Sequence, residues 1–198
     1  MEGDVMSVAG KHGVSENTPK NIQFGAGTIH KGLKYEGGSW NFEASIVGAT
    51  SGGSKLDIVP EVTPIEVDGA LVKVKGLDVK TGETATMEIN FIELSADIVK
   101  AATIGASGTS EDATNYDMIE SKSAIAAGDY WENVAFVGKT LEGKNIIAIM
   151  ENALCTSGLS INPQNKTGTV ATVTFECTAE NTGDLDKLPW KIYYPKTA

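Results

Sequence analysis

Strict alternation of apolar and polar residues distinguishes one segment near the middle of the chain, residues 83–94. Its apolar positions are Ala85, Met87, Ile89 and Phe91. Its polar positions are Thr84, Thr86, Glu88 and Asn90. A period of two is typical of a β-strand with one buried face and one solvated face. We therefore expect the polar set to face solvent.

Further strands are predicted along the rest of the chain from the same kind of pattern. They lie near residues 22–35, 40–47, 130–137, 145–154, 169–178 and 188–194. Residues 146–150 are apolar on both faces, which indicates a central strand that is covered on both sides.

Residues 56–75 carry the signal of a β-hairpin. An extended run over 56–67 is followed by Asp68-Gly69 and by a returning run over 71–75. Asp-Gly between two extended runs favours a two-residue turn, because both turn residues must tolerate positive φ. Pro60 and Pro64 lie within the first run, and a proline cannot donate to a ladder. The sequence therefore predicts an edge strand, or a bulged one.

A loop of small residues precedes this hairpin and is predicted to span about residues 36–56. Its candidate contact residues for a neighbouring subunit are Gly48, Thr50, Ser51, Gly52 and Gly53. An edge strand beside a glycine-rich loop indicates a surface that meets another chain.

One convincing helix is predicted after the alternating strand. Ser95 is a good N-cap, apolar residues follow at helical spacing, and Gly105 is a plausible stop. Many strands and one flanking α-helix define a mainly β fold, a β-sandwich or partly closed barrel. Residues 1–20 have no regular period and are predicted to form a flexible N-terminal arm. Residues 21–198 are predicted to form a single β-rich domain.

Charge and composition exclude several classes of protein. The chain has 198 residues and a formal net charge of -10, and all 16 basic residues are lysines. A nucleic-acid-binding protein needs a basic surface and usually arginine, so specific binding of nucleic acid is not expected. No apolar run has membrane-spanning length and the N-terminus lacks the regions of a signal peptide, so neither a membrane anchor nor classical secretion is expected.

Catalytic and metal-binding patterns are missing from the sequence. Cys155 and Cys177 have no metal-ligand spacing and are predicted to be buried free thiols. No nucleophile has a nearby base, and the acidic loop around residues 111–120 lacks calcium-loop spacing. We therefore predict no enzyme activity, no cofactor and no metal.

Several short motifs occur in a characteristic order between residues 21 and 194. They are GATSGG at 48–53, PE at 60–61, IEVDG at 65–69, VKG at 74–76, IELS at 92–95 directly before the helix, DYWEN at 129–133 and VG at 137–138. In this order the chain resembles the tail tube (major tail) proteins of long-tailed bacteriophages, particularly those with low-GC Gram-positive hosts.

This resemblance implies a structural virion protein that assembles, in the cytoplasm of the host bacterium, as stacked homohexameric rings forming the hollow phage tail. It also implies contacts with the tape measure, tail terminator and tail-tip (distal tail) proteins. Double-stranded DNA would pass through the lumen without specific binding. Thr84, Thr86, Glu88 and Asn90 are the candidate lumen-facing residues. The hairpin residues Pro60, Pro64, Asp68 and Gly69, together with the glycine-rich loop, are candidates for contacts between subunits.

Two alternatives remain open at this point. The chain could be the inner tube subunit of a contractile tail or of a phage-derived bacteriocin. It could also be a monomeric β-sandwich module that binds a carbohydrate or a surface receptor. Such a module needs an exposed aromatic platform, whereas Trp40, Trp131 and Trp190 are far apart in the sequence.

Overall fold

An antiparallel β-sheet dominates the computed structural model, which describes residues 13–196. The strands are β1 Gln23–His30, β2 Tyr35–Glu36, β3 Ser39–Trp40, β4 Thr50–Pro64, β5 Asp78–Phe91, β6 Ala106–Gly108, β7 Met118–Glu120, β8 Trp131–Thr140, β9 Asn145–Cys155, β10 Ala171–Cys177 and β11 Trp190–Tyr193. The helices are α1 Thr18–Asn21, α2 Phe42–Ser45 and α3 Ala96–Thr103, with a 3-10 turn at Ala127–Asp129. The prediction of a mainly β fold is confirmed.

The main sheet has seven strands in the order β1-β8-β9-β10-β5-β4, and β11 also pairs with β9. Strands β10 and β11 lie end to end along one side of β9. The sheet curves so that its outermost strands, β1 and β4, contact each other. Within residues 13–196 no ladder of backbone hydrogen bonds joins these two strands.

The hydrophobic core lies on the concave face of this sheet. It takes the apolar side of β5 together with residues from β8, β9, β10 and α3. Ala85, Met87, Ile89 and Phe91 are each 0% exposed. Full burial of a side chain as large as Met, Ile or Phe contributes about 1.5–3 kcal/mol, so this strand is a principal source of stability.

A second apolar cluster covers the opposite face of β8 and β9. It contains Leu33, Ala135, Val137, Ile147 and Ile149, with Trp40 and Phe42 packed against it. The prediction that β9 is covered on both sides is therefore confirmed. The prediction of a strand over residues 40–47 is wrong, because Phe42–Ser45 is a short helix whose first residue lies over β9.

The predicted hairpin has the wrong partner strand. Residues 68–69 do form a turn, with the Ala70 amide donating to the Val67 carbonyl at 3.1 Å. The returning run over 71–75 is not a strand, and β4 pairs instead with β5, from Thr50↔Phe91 to Pro64↔Asp78. The reason is burial: β5 offers an alternating apolar face to the core, whereas residues 71–75 are exposed throughout.

Strand β4 is an edge strand, as Pro60 and Pro64 predicted, because β5 is its only ladder partner within residues 13–196. The ladder is also irregular between Glu61 and Val62.

The loop predicted over residues 36–56 is shorter than expected, because β4 begins at Thr50. Gly52 and Gly53 have φ values of 86° and 84°, and the register shifts between Thr50 and Ser54. A bulge at two glycines lets the strand absorb extra residues without leaving the sheet. Most of the arm predicted at residues 1–20 lies outside the described residues, and its described part contains the start of α1.

Helix α3 begins as predicted. The Ser95 hydroxyl accepts a hydrogen bond from the Ile98 amide at 3.4 Å. The helix ends at Thr103, and Ile104 caps it in the left-handed conformation with φ 49°. Its apolar side, Ile98, Ala101 and Ala102, enters the core.

His30 fastens the segment containing α2 to β1. The imidazole is 1% exposed, with Nε2 2.8 Å from the Thr28 hydroxyl and Nδ1 2.8 Å from the Ser45 hydroxyl. The Ser45 hydroxyl donates to the Asn41 carbonyl at 2.8 Å, so Nδ1 is the donor toward Ser45. Burial, the largest effect, lowers the pKa of His30 from its ordinary value of 6.5. The neutral imidazole is therefore the form that fits this site.

We expect the free energy of unfolding to fall as the pH drops below 6.5. The unfolded chain takes up a proton at the ordinary histidine pKa, while the folded chain resists it until the lower folded pKa is reached. The stabilising contribution is thus fully present above 6.5 and is lost between these two pKa values. Urea unfolding at a series of pH values measures it. His30→Gln should remove this slope, whereas His12→Gln should keep it; a slope that persists in His30→Gln would contradict the assignment.

Candidate functional site

A two-stranded arm, formed by residues 59–81 of β4, β5 and their connection, projects from the domain. Residues 59–61 pair with residues 82–84 at the base of the arm, the ladder within the arm runs from Val62↔Lys80 to Pro64↔Asp78, and residues 65–77 form its tip. Every residue of the arm except Leu77 is exposed. From the core pair Leu56↔Met87 to Pro64, eight residues at about 3.3 Å each span about 26 Å.

The arm carries an unusual amount of exposed apolar surface. Leu71 is 98% exposed and Val72 is 78% exposed. The other exposed apolar side chains of the arm are Val59, Val62, Ile65, Val67, Val74 and Val79. A concentration of exposed apolar side chains in one segment is a mark of an interaction site.

Charges at the tip are mixed, with an acidic side at Glu66 and Asp68 and a basic side at Lys73 and Lys75. Lys73 pairs with Asp78 at 3.5 Å. The backbones of Leu71, Val72 and Lys73 make no hydrogen bond within residues 13–196. Polar backbone groups and apolar side chains are therefore both available to a partner.

The convex face of β5 is polar and uncovered, as the alternation predicted. Thr84 and Glu88 are exposed, and Thr86 and Asn90 are partly exposed. This face continues across the sheet, since Glu88 lies opposite Lys55 on β4 and Thr86 lies opposite Glu176 on β10. The four candidate lumen residues therefore belong to one solvated surface.

Charge on this polar face is predominantly negative. Lys55 pairs with Asp57 at 2.7 Å, and the hydrogen bond to that carboxylate raises the pKa of Lys55. Glu88 and Glu176 lie beside this pair and form no ion pair within residues 13–196. A surface of this kind repels phosphate groups.

The glycine-rich segment lies at the opposite end of the same hairpin from the tip. The Ala49 amide donates to the Glu93 carboxylate at 3.0 Å, and the Asn90 amide donates to the Gly53 carbonyl at 3.0 Å. Gly48, Thr50, Ser51, Gly52 and Gly53 are thus fastened to the chain's own sheet rather than extended as a free loop. The three predicted sets of residues, for the inter-subunit loop, the lumen and the edge strand, thus lie along one hairpin. Their order along it is the glycine bulge, the polar face and the arm.

An aromatic cluster on the outside of the sheet was not predicted from the sequence. The rings of Tyr35 and Tyr193 lie 5.3 Å and 5.0 Å from that of Trp40, both in edge-to-face geometry. Tyr35 is 60% exposed and Tyr193 is 45% exposed. Residues more than 150 positions apart come together here only because β11 returns along β9, so no local pattern could have indicated the cluster.

Metal binding and membrane spanning were also considered for the described part of the chain. No group of three or more His, Cys, Asp or Glu side chains within residues 13–196 is placed to hold a metal ion. Of the helices in that range, none has both the length and the apolar content needed to cross a lipid bilayer.

Comparison with protein-family models gives no match for this chain. A search of curated proteins finds no significant similarity either.

We expect the tip to contribute little to the stability of the isolated chain. Leu71→Ser should change the free energy of unfolding by no more than about 0.5 kcal/mol, because the side chain packs against nothing in its own domain. Met87→Ala, on the same hairpin but 0% exposed, should cost about 2–5 kcal/mol. Urea unfolding of both variants measures this contrast, and a loss above about 1 kcal/mol for Leu71→Ser would show that the tip packs on its own domain.

Proposed function

We propose that this chain is the structural subunit of a bacteriophage tail tube, assembling as stacked homohexameric rings around a central bore. The arm is the observation that carries the proposal. It presents apolar side chains on a two-stranded projection, away from the core that would otherwise bury them. Such a surface favours association with other protein, and a virion subunit meets mainly copies of itself.

Open sheet edges support the same assignment. Strands β1 and β4 lie at the two ends of the main sheet, and within residues 13–196 each pairs along one side only. Pairing of such edges between neighbouring copies would join the separate sheets into a continuous ring. Prolines on β4 limit where this pairing can occur, which favours one register over many.

The polar convex face fits the lining of a channel that carries DNA. Thr84, Thr86, Glu88 and Asn90 offer hydroxyl, amide and carboxylate groups and no cationic group. Negative charge beside uncharged polar groups lets a polyanion pass without being held. The tape measure protein would occupy the same bore before DNA, while the tail terminator and tail-tip proteins would contact the ends of the tube.

Within this class, we assign the chain to a non-contractile tail, and the inner tube of a contractile tail or phage-derived bacteriocin is the alternative. The proposed role is structural rather than catalytic and requires no cofactor. Its proposed location is the tail of the virion, after assembly in the cytoplasm of the host bacterium.

A monomeric carbohydrate-binding or receptor-binding module is the second candidate. The cluster of Tyr35, Trp40 and Tyr193 favours it, because partly exposed aromatic rings are a common feature of sugar sites. The edge-to-face arrangement, however, presents no flat platform on which a sugar ring could stack. The Tyr35 hydroxyl also donates a hydrogen bond to the Gly38 carbonyl at 2.9 Å, so it is not free to bind a sugar. Retardation in polysaccharide-containing gels that is lost in Trp40→Ala, by a chain that stays monomeric, would establish this candidate instead.

We expect the purified protein to form hollow filaments with a regular axial repeat as its concentration is raised. Negative-stain electron microscopy and light scattering on the same samples measure this. The double variant Leu71→Asp with Val72→Asp should remain folded but fail to assemble, because charged side chains cannot be buried at an apolar contact without a large cost. Ile161→Asp, at an aliphatic residue that is 47% exposed elsewhere, is the matched control and should still assemble.

Absence of filaments at every concentration, in the presence of purified tail-tip complex as well as without it, would overturn the proposed function. If the double Asp variant forms filaments equally well, the chain self-assembles but the arm tip is not required for assembly.

A further inference from the structure

An open cleft lies at one end of the core, between the two layers of the curved sheet. Its volume is about 510 Å³. Leu56 and Met87, from β4 and β5, form one wall. The opposite wall is formed by Phe136, Ile146, Ala148 and Ile192, from β8, β9 and β11. The apolar core is thus left unfilled where it reaches solvent.

We propose that this cleft is the seat for the arm tip of a second copy of the chain, with Leu71 and Val72 entering it. This inference rests on the self-assembly proposed above and adds the acceptor surface to it. Leu71 and Val72 are the most exposed large apolar side chains within residues 13–196. The molecule therefore exposes an apolar projection and an apolar recess at the same time.

The tip cannot reach the cleft of its own chain. Leu56 and Met87 line the cleft and are paired with each other at the base of the arm. The tip stands about 26 Å beyond that pair, at the far end of a hydrogen-bonded ladder. Folding the tip back would break the ladder from Asp57↔Thr86 to Pro64↔Asp78. Only another copy can supply the tip.

Polar groups at the cleft agree with a peptide occupant. The Ser54 hydroxyl, on the cleft wall, is buried and has no hydrogen-bond partner within residues 13–196. A buried hydroxyl without a partner is unfavourable. The unpaired backbone groups of Leu71, Val72 and Lys73 would provide a partner on docking.

A tip-to-cleft contact joins two different surfaces of the same molecule. Each docked pair therefore still offers one free tip and one free cleft, so that contacts of this kind continue head to tail.

Cysteine cross-linking tests the proposal directly. Full-length Leu71→Cys and Ile192→Cys proteins are mixed in equal amounts at assembling concentration and oxidised with copper phenanthroline. The native thiols interfere little, because Cys155 and Cys177 are buried and burial raises the pKa of Cys177 to about 11. The control mixture replaces Ile192→Cys with Ile161→Cys, since both isoleucines are 47% exposed.

We expect the Leu71→Cys and Ile192→Cys mixture to give about tenfold more mixed dimer than the control mixture, because docking holds the two thiols near each other and raises their effective concentration. The chain carrying both changes should give a ladder of covalent oligomers. Yields equal to the control would overturn the proposal.

A second measurement does not depend on cysteine. Ile192→Asp should raise the concentration needed for assembly by about tenfold, while Ile161→Asp leaves it unchanged. If Ile192→Asp forms normal filaments and cross-linking stays at the control level, the cleft is not the docking site of the tip, while the proposed function as a tube subunit stands. If specific cross-links form in small oligomers that never become filaments, the tip does dock in the cleft but the chain is not a tube subunit. Monomers without cross-links at all concentrations would refute both.

Discussion

Strand β5 performs two tasks at once, and the rest of the structure depends on it. Its second half, from Ala85 to Phe91, alternates strictly and buries one side in the core. Its first half leaves the domain and forms one strand of the arm with β4. The arm is therefore a direct continuation of the buried half of β5. The same pleat places the polar residues of β5 on the convex face.

The parts of the fold that follow from local period could be predicted from the sequence. Strands β5, β9 and β10 were identified by alternation or by an apolar centre, because burial on one or both faces leaves that signal in the residues themselves. Helix α3 was identified by its Ser95 cap and apolar spacing for the same reason.

The parts that depend on distant partners were missed. Asp68-Gly69 does make a turn, but turn chemistry specifies only four residues and says nothing about which strand pairs with β4. The segment after Trp40 has aromatic and aliphatic residues typical of a strand. Its conformation is decided instead by packing over β9 and by the bonds of His30 and Ser45. The polar face of the candidate site was therefore predictable, while the extent of the arm, the cleft and the aromatic cluster were not.

Pro60 and Pro64 have a consequence for how the isolated chain avoids aggregation. A long, flat, apolar edge strand is a template for amyloid-like stacking, in which each added chain pairs along the whole edge. A proline fits in a ladder only where its nitrogen faces away from the partner strand, so these two residues remove amide donors from the outer edge of β4. Side-by-side growth of strands is then interrupted at two points. Chains at high concentration can therefore avoid stacking of this kind, while their exposed apolar side chains stay available for other contacts.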